Sequence, residues 1–159
     1  MYVFYRISHF FYNYKVPFLP KIIEFIIFFL FNSRIPSSVK IGKGSSFAYQ
    51  GLSTLLVKGT VIGENCMIGM RVTTGRNFPY KDVPIIGDRV WIGTNSVIIG
   101  PVIIEDDVII APNSLVNKSV TKGKIVGGNP AKILGDIKDL EYNIFDNVKN
   151  KHGKAEYLS

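Results

Sequence analysis

Two polar stretches interrupt an otherwise periodic chain, and side chains able to move a proton or donate a hydrogen bond collect in them. The first, Tyr49–Ser53, carries Tyr49 and Gln50; the second, Thr74–Pro84, carries Arg76 and Asp82. Asp82 could act as a base if desolvated, because burial raises a carboxylate's pKa. Tyr49 could do so only with a strongly depressed pKa. Gln50 cannot, and Arg76 stays protonated at any working pH. Conventional catalytic equipment is sparse: one cysteine, Cys66, and two histidines, His9 and His152. A single thiol permits no intrachain disulfide and fits a reducing compartment. Cys66 lies four residues after Ile62, a slot that points inward, so its reading is a packing cysteine. No zinc site can be assembled, since both histidines lie near the ends of the chain.

The elements that position these stretches announce themselves by a repeat. Ile86, Ile92, Ile98, Ile104, Ile110 and Val116 recur every sixth residue. Four residues after each comes something small or β-branched: Val90, Ser96, Val102, Val108, Ser114, Val120. Neither a helix at 3.6 residues nor an alternating strand at 2 produces this period. Short parallel strands joined by tight turns, three per coil, do, with the aliphatic pointing into a prism-shaped core. The rhythm starts at Ile35, Ile41 and Phe47, stretches to nine residues before Leu56, and resumes at Ile62 and Ile68. About three extra residues therefore bulge out near Tyr49–Ser53. From Ile68 to Ile86 the interval is eighteen, which reads as one whole coil with an irregular middle at Thr74–Pro84. Lys122–Gly128 reads as turning off the last coil, closed by Asn129-Pro130-Ala131-Lys132. Loops projecting from a rigid scaffold are where function concentrates.

The chain's 159 residues suffice for one domain and a small appendage. Three parts are expected: an apolar, basic helical segment at 1–33, the coil at 34–134, and a tail at 135–159 with a short helix over Asp136–Lys149. The formal net charge is +7, and residues 1–43 carry +5 of it. A basic segment studded with aromatics suits a membrane surface better than nucleic acid, for which no motif or extended basic stripe exists. A helix is expected over 2–14 and a second over Lys21–Phe31. Its Phe25–Phe31 stretch is apolar all round, so it must be covered by a partner chain, by the end of the coil, or by the membrane interface. Val16–Phe31 contains Pro17, Pro20, Lys21 and Glu24, too short and too charged a stretch to span a bilayer. No cleavage site for a secretion signal follows it.

The repeats IGENCM, IGMRVT, IGDRVW, IGTNSV, IEDDVI and IAPNSL resemble those of the hexapeptide-repeat acyltransferases. WIG at Trp91–Gly93 and the closing GGNPAKIL are also similar to that family's pattern. The resemblance covers about 100 residues, Ile35 to Leu134. It implies an all-β fold, a left-handed parallel β-helix with short N-terminal and C-terminal helices. YRISHFFYNYKVPFLPKII and FAYQGL resemble the serine-acetyltransferase-like branch that acetylates sugars of surface polysaccharides. The resemblance implies an O-acetyltransferase acting on a saccharide or nucleotide-sugar, a homotrimer that binds acetyl-CoA in the groove between neighbouring prisms. The single cysteine suits the cytoplasm, and the basic, apolar residues 16–31 suit peripheral contact at the inner face of the membrane.

An alcohol attacking a thioester needs a base to take its proton and donors to meet the oxyanion, which backbone N–H groups of the coil can supply. Gly93 and Ala111 would let the cofactor's thin arm pass. Lys118, Lys124 and Lys132 would reach its phosphates, and Asn129 belongs to the same terminal signature. In the serine-acetyltransferase branch the base is a histidine near the first interruption; here Tyr49, Gln50 or Val57 stands in its place. In the galactoside-acetyltransferase branch it follows a Thr-Gly pair; here Arg76 follows Thr74-Gly75. The candidates are therefore Tyr49, Gln50 and Asp82, with His9 or His152 arriving from a terminus or neighbouring subunit as the alternative. A metal-dependent hydratase on the same coil would need three coil histidines, and there are none. The competing reading is a non-catalytic trimeric relative that keeps the coil and cofactor binding.

Overall fold

The computed structural model describes residues 1–140. Strands of two to five residues stack into three faces of a prism. Face one holds Lys40–Ile41, Val61–Ile62, Ile85–Ile86 and Ile103–Ile104, all parallel. Face two holds Ser46–Phe47, Met67–Ile68, Trp91–Ile92, Ile109–Ile110 and Lys124–Gly127, with Lys132–Asp136 added antiparallel at its end. Face three holds Thr73–Gly75, Val97–Ile99 and Leu115–Val116, extended towards the first coil by bridges through Leu55 to Arg34. The fold is the β-helix that the six-residue period implies, of about four turns.

Inward aliphatics form one column per face. Ile41, Ile62, Ile86 and Ile104 run up face one, and Ile68, Ile92, Ile110 and Val126 up face two; all are buried. Ile35, Leu56, Thr74, Ile98 and Val116 run up face three, so the one polar member, Thr74, sits within an aliphatic stack. Each fully buried isoleucine contributes roughly 1.5–3 kcal/mol of apolar transfer. Cys66 is 1 % exposed, as its slot demands. Its Sγ donates to the Gly87 carbonyl at 3.1 Å, and burial pushes its thiol pKa up, away from reactivity.

Register corrects two expectations. Ile68 pairs with Ile92 and Thr74 with Ile98, while Ile86 pairs back to Ile62. The eighteen residues from Ile68 to Ile86 are therefore not one coil. They span two strand-to-strand steps of a coil plus six residues looped out between Thr74 and Ile86. An insertion as long as one repeat preserves the phase, which hides it from a count by sixes. The other correction is at the end of the coil. Lys124–Gly127 does not turn away but adds a parallel strand beside Ile109–Ile110, and Lys132–Asp136 folds back on it. The antiparallel return covers an edge that would otherwise expose unpaired backbone.

Two helices close the other end. Helix α1, Tyr2–Asn13, and helix α2, Leu19–Phe31, pack against each other and against the first coil. Pro20 stands in the first turn of α2, where its missing N–H costs nothing, and Asn32 ends the helix in the left-handed region. Tyr5, fully buried, donates its hydroxyl to the Val39 carbonyl at 2.7 Å. From α2 only Pro20, Ile23 and Ile27 are buried, so the Phe25–Phe31 stretch is covered by the coil along one stripe alone. Beyond the coil, Ile137–Asp139 form one 3-10 turn, and the rest of the expected tail helix lies outside the described residues.

The corner between faces one and two turns through left-handed residues stacked above one another, including Asn65, Arg89 and Asp107 with φ of 55°, 53° and 57°. Asn and Asp adopt this conformation readily, whereas Arg89 pays steric cost. Arg89 is held by Asp107 through Nε and Nη2, the latter at 2.9 Å, and by Asp106 at 3.4 Å. The Arg89 guanidinium holds the Asp107 carboxyl below the usual carboxylate range.

Replacing Ile98 by Ala should cost about 2–5 kcal/mol in urea unfolding, since the rigid coils on either side cannot close the cavity. A carboxyl with a depressed folded pKa contributes stability above its unfolded value near ~3.9, lost as pH falls through the lower folded value. Wild-type Tm should therefore fall between about pH 5 and pH 2. Asp107→Asn should flatten part of that fall and cost about 0.5–1 kcal/mol at pH 7, an exposed-pair magnitude.

Candidate active site

The first interruption leaves the corner between faces two and three. Ala48–Gly51 form a tight, non-helical turn in which Tyr49 and Gln50 are both left-handed, with φ of 50° and 57°. Two consecutive non-glycine residues there cost of order 1–3 kcal/mol each, a strain that persists only where surroundings enforce it. The enforcement comes from beneath. Ser33 Oγ donates to the Gly51 carbonyl at 2.6 Å and accepts the Thr54 N–H at 3.1 Å. Ser53 N–H donates to the Phe31 carbonyl at the end of α2, and Arg71 N–H of the next coil donates to the Leu52 carbonyl. Gly51, left-handed at φ 68°, lies against the Met1 side chain, whose methyl end would have to move to admit a Cβ. So braced, the turn thrusts Tyr49 outward, 77 % exposed, with Gln50 exposed beside it.

Above that turn, on the same corner, small residues follow the face-two aliphatics: Gly69, Gly93, Ala111 and Gly127. Their N–H groups step from coil to coil, Gly69 to Ile92, Gly93 to Ile110, and Ala111 to Val126. A Cβ on Gly93 would lie 2.4 Å from the Pro112 nitrogen, and one on Gly127 would lie 2.9 Å from the Ala111 Cβ. Gly93 is buried, so coil stacking alone requires it to be glycine; Ala111 is half-exposed. The column keeps the positions just past face two small, with Arg71, Asn95 and Asn113 at the left-handed turn positions that follow them.

The second interruption leaves the opposite edge of face three. Its base is fixed: Thr74 Oγ1 accepts the Val57 N–H at 3.0 Å and shares a hydrogen bond with Thr60 Oγ1 at 2.9 Å. Arg76 Nε donates to the Lys81 carbonyl at 2.9 Å, which spends Arg76 on closing the loop. The tip presents Phe78, 95 % exposed, with Tyr80 and Asp82. The desolvation that a basic Asp82 requires is not met among the described residues, where Asp82 is exposed. Lys118 stands on the same edge, further along the prism. Lys118 and Lys132 line one cleft of about 420 Å³ at the end of the coil, with Ala131 and Ile133. Asn129 is exposed in the adjoining turn, and Lys124 is ion-paired with Asp136 at 2.7 Å.

The structure thus brings Tyr49, Gln50, Gly93 and Ala111 to one edge of face three, and Asp82 with Lys118 to the other. A single chain does not unite them. His9 is placed as a structural residue: its Nδ1 lies 2.6 Å from the Ser37 carbonyl and its ring stacks on Tyr5. His152 lies outside the described residues. Sequence reasoning missed the anchoring pair Thr60–Thr74 and the seryl brace at Ser33. A threonine in an aliphatic column was the signal for the first; nothing local marked the second.

A three-faced parallel β-helix with loops at its edges is a scaffold shared by acyltransferases and other enzymes, and the comparisons with known proteins point to the acyltransferases. The family described as bacterial transferase hexapeptide (six repeats) matches residues 84–118, and hexapeptide repeat of succinyl-transferase matches 59–75. The serine acetyltransferase of Helicobacter pylori is 28% identical over 132 residues, 82% of this chain and 77% of that protein. The putative acetyltransferase YvoF of Bacillus subtilis is 31% identical over 109 residues, 65% of this chain and 63% of that protein. The solved serine acetyltransferase of Brucella abortus in complex with coenzyme A superposes with TM-score 0.78 at 26% identity, covering 84% of this chain and 54% of that one. The chain thus spans about half the length of the solved structure. The repeat, the fold and these relatives are those of hexapeptide-repeat acetyltransferases, and the chain is similar to the serine acetyltransferases among them.

Thr74→Val should lower stability by about 1–3 kcal/mol, by leaving the Val57 N–H and the Thr60 hydroxyl short of a partner inside the coil. Thermal unfolding of the variant beside Ser38→Ala, a half-buried serine outside that network, measures it.

Proposed function

We propose that the chain is an acetyl-CoA-dependent O-acetyltransferase acting on a sugar hydroxyl in cell-envelope polysaccharide biosynthesis. It works as a homotrimer in the cytoplasm, at the inner face of the membrane. The observation that carries the reading is the division of the site between the two edges of face three. A closed threefold assembly sets one edge of each prism against the other edge of its neighbour, giving three equivalent grooves. Each groove would then hold Tyr49 and Gln50 of one chain, the small-residue column above them, and Asp82 and Lys118 of the next.

The cofactor's pantetheine arm runs along the column past Ala111, and Lys118, Lys132 and Asn129 meet its phosphates. Asp82, desolvated by the neighbouring chain, takes the proton as the acceptor oxygen attacks the thioester carbonyl. The C–S bond breaks, and CoA leaves as the thiol on receiving that proton. Gln50 and Tyr49 hold the acceptor by hydrogen bonds, and coil N–H groups meet the oxyanion. Support for acetyl-CoA comes from the CoA complexes among the structural neighbours. The second reading, a non-catalytic relative that binds CoA, is favoured by one observation: His9 is committed to Ser37.

Calorimetry should show acetyl-CoA binding, weakened roughly tenfold by Lys118→Glu with Lys132→Glu, a change of about 1.4 kcal/mol. Thiol release should depend on an added saccharide acceptor, and Asp82→Asn should slow it by about 10²–10⁴. Binding without release under any acceptor selects the non-catalytic reading, and no binding removes both.

A further inference from the structure

The helical hairpin carries more exposed apolar surface than its packing role needs. On α1 and its C-terminal cap the outward stripe is Val3, Ile7, Phe10 and Tyr14, at 69, 44, 54 and 70 % exposure. On α2 it is Ile22, Phe25 and Phe29, at 54, 66 and 78 %, with Phe28 and Leu30 beside it and Phe18, 79 % exposed, at the elbow. These spacings of three and four residues put each set on one helical face. Phe4 against Phe31, ring centroids 6.2 Å apart, helps hold the two helices side by side. Contiguous apolar patches of this kind mark interaction sites.

Charge decides the occupant. Arg6, Lys15 and Lys21 are exposed around this surface, and no salt bridge involves them among the described residues. At the elbow, a cleft of about 590 Å³ adds Arg34 and Lys58 to Lys21. The single acid there, Glu24, is engaged by the Ser37 N–H at 2.5 Å. A second copy of the same surface would bring these cations against their own kind. An anionic bilayer neutralises them while its acyl boundary receives the phenylalanines. Neither helix is long and apolar enough to cross a membrane. At 12 and 13 residues and 1.5 Å per residue, each is about 20 Å or shorter, against a hydrocarbon core of roughly 30 Å.

We infer that α1 and α2 together form a monotopic docking surface that lies in the interface of an anionic lipid bilayer. This deepens the membrane clause of the functional reading, enlarging residues 16–31 to a two-helix face that includes α1. Phe10, Phe25 and Phe29 enter the acyl boundary, while Lys15 and Lys21 stay at headgroup level beside the elbow cleft. The coil then stands away from the bilayer, with its grooves open to acceptors held there.

Co-sedimentation of the full chain tests it, with vesicles of equal parts phosphatidylglycerol and phosphatidylcholine against phosphatidylcholine alone. The chain should pellet with the anionic vesicles, and salt should release it. Phe25→Ser with Phe29→Ser should cut partitioning roughly tenfold or more. Lys15→Glu with Lys21→Glu should abolish the anionic preference; it alters only exposed side chains and keeps the test readable if the phenylalanine pair misfolds. The inference is overturned if the chain ignores anionic vesicles at low salt. It is equally overturned if the phenylalanine pair dissociates the oligomer in light scattering without changing sedimentation, which would assign the face to a neighbouring chain. Acetyl-CoA binding, retained in both variants, reads the transferase assignment separately.

Discussion

The spacing between successive coils governs this molecule. Parallel backbones paired through their peptide groups lie about 4.8 Å apart, so every position recurs directly above its equivalent one turn earlier. Inward positions must then be aliphatic and of similar size, which produces the columns of Ile62, Ile86 and Ile104 or Ile68, Ile92 and Ile110. Positions just past a strand must be small wherever the next turn's backbone crosses close by. A Cβ on Gly42 would come within 2.5 Å of Gly63, and one on Gly63 within 2.5 Å of Gly87. Function is confined to what this stack leaves free: the outer faces, the corners where the period breaks, and the two ends.

That constraint explains how much of the fold is legible in the residues alone. A six-residue period writes the core directly into the sequence, so the inward slots, the buried Cys66 and the bulge at Tyr49–Ser53 can be read from residue types. The looped-out residues before Ile86 cannot, because an insertion one repeat long leaves the phase intact. Lys124–Gly127 reads as a turn because glycines surround it, and only pairing with Ile109–Ile110 makes it a strand. Phe25–Phe31 is apolar on all sides, yet of α2's aliphatics only Ile23 and Ile27 are fully buried, a choice made by the angle at which the hairpin caps the prism.

The site is legible in part for the same reason. Breaks in the rhythm locate the loops, but the edge from which each loop leaves depends on the true coil count, which the hidden insertion obscures. With the register known, Tyr49 and Gln50 stand on one edge of face three and Asp82 and Lys118 on the other. The strained turn at Tyr49–Gln50, braced by Ser33, Met1 and the next coil, is consistent with a residue pair held for use rather than tolerated by chance. Under the proposed function the functional unit is larger than one chain. Catalytic competence and assembly would then be a single property, with the exposed Asp82 of the isolated chain as half of a site.

The central claim, that two edges from neighbouring chains make one cofactor groove, is tested most directly by a crystal structure of the protein soaked with CoA. The account predicts a trimer with the thiol sulfur between Tyr49 and Gln50 of one chain and Asp82 of its neighbour. At least one of those side chains should lie within about 3.5 Å of the sulfur, the reach of a near-attack geometry. CoA bound elsewhere, or a groove in which the Asp82 loop points away from the neighbouring Tyr49 turn, would contradict it.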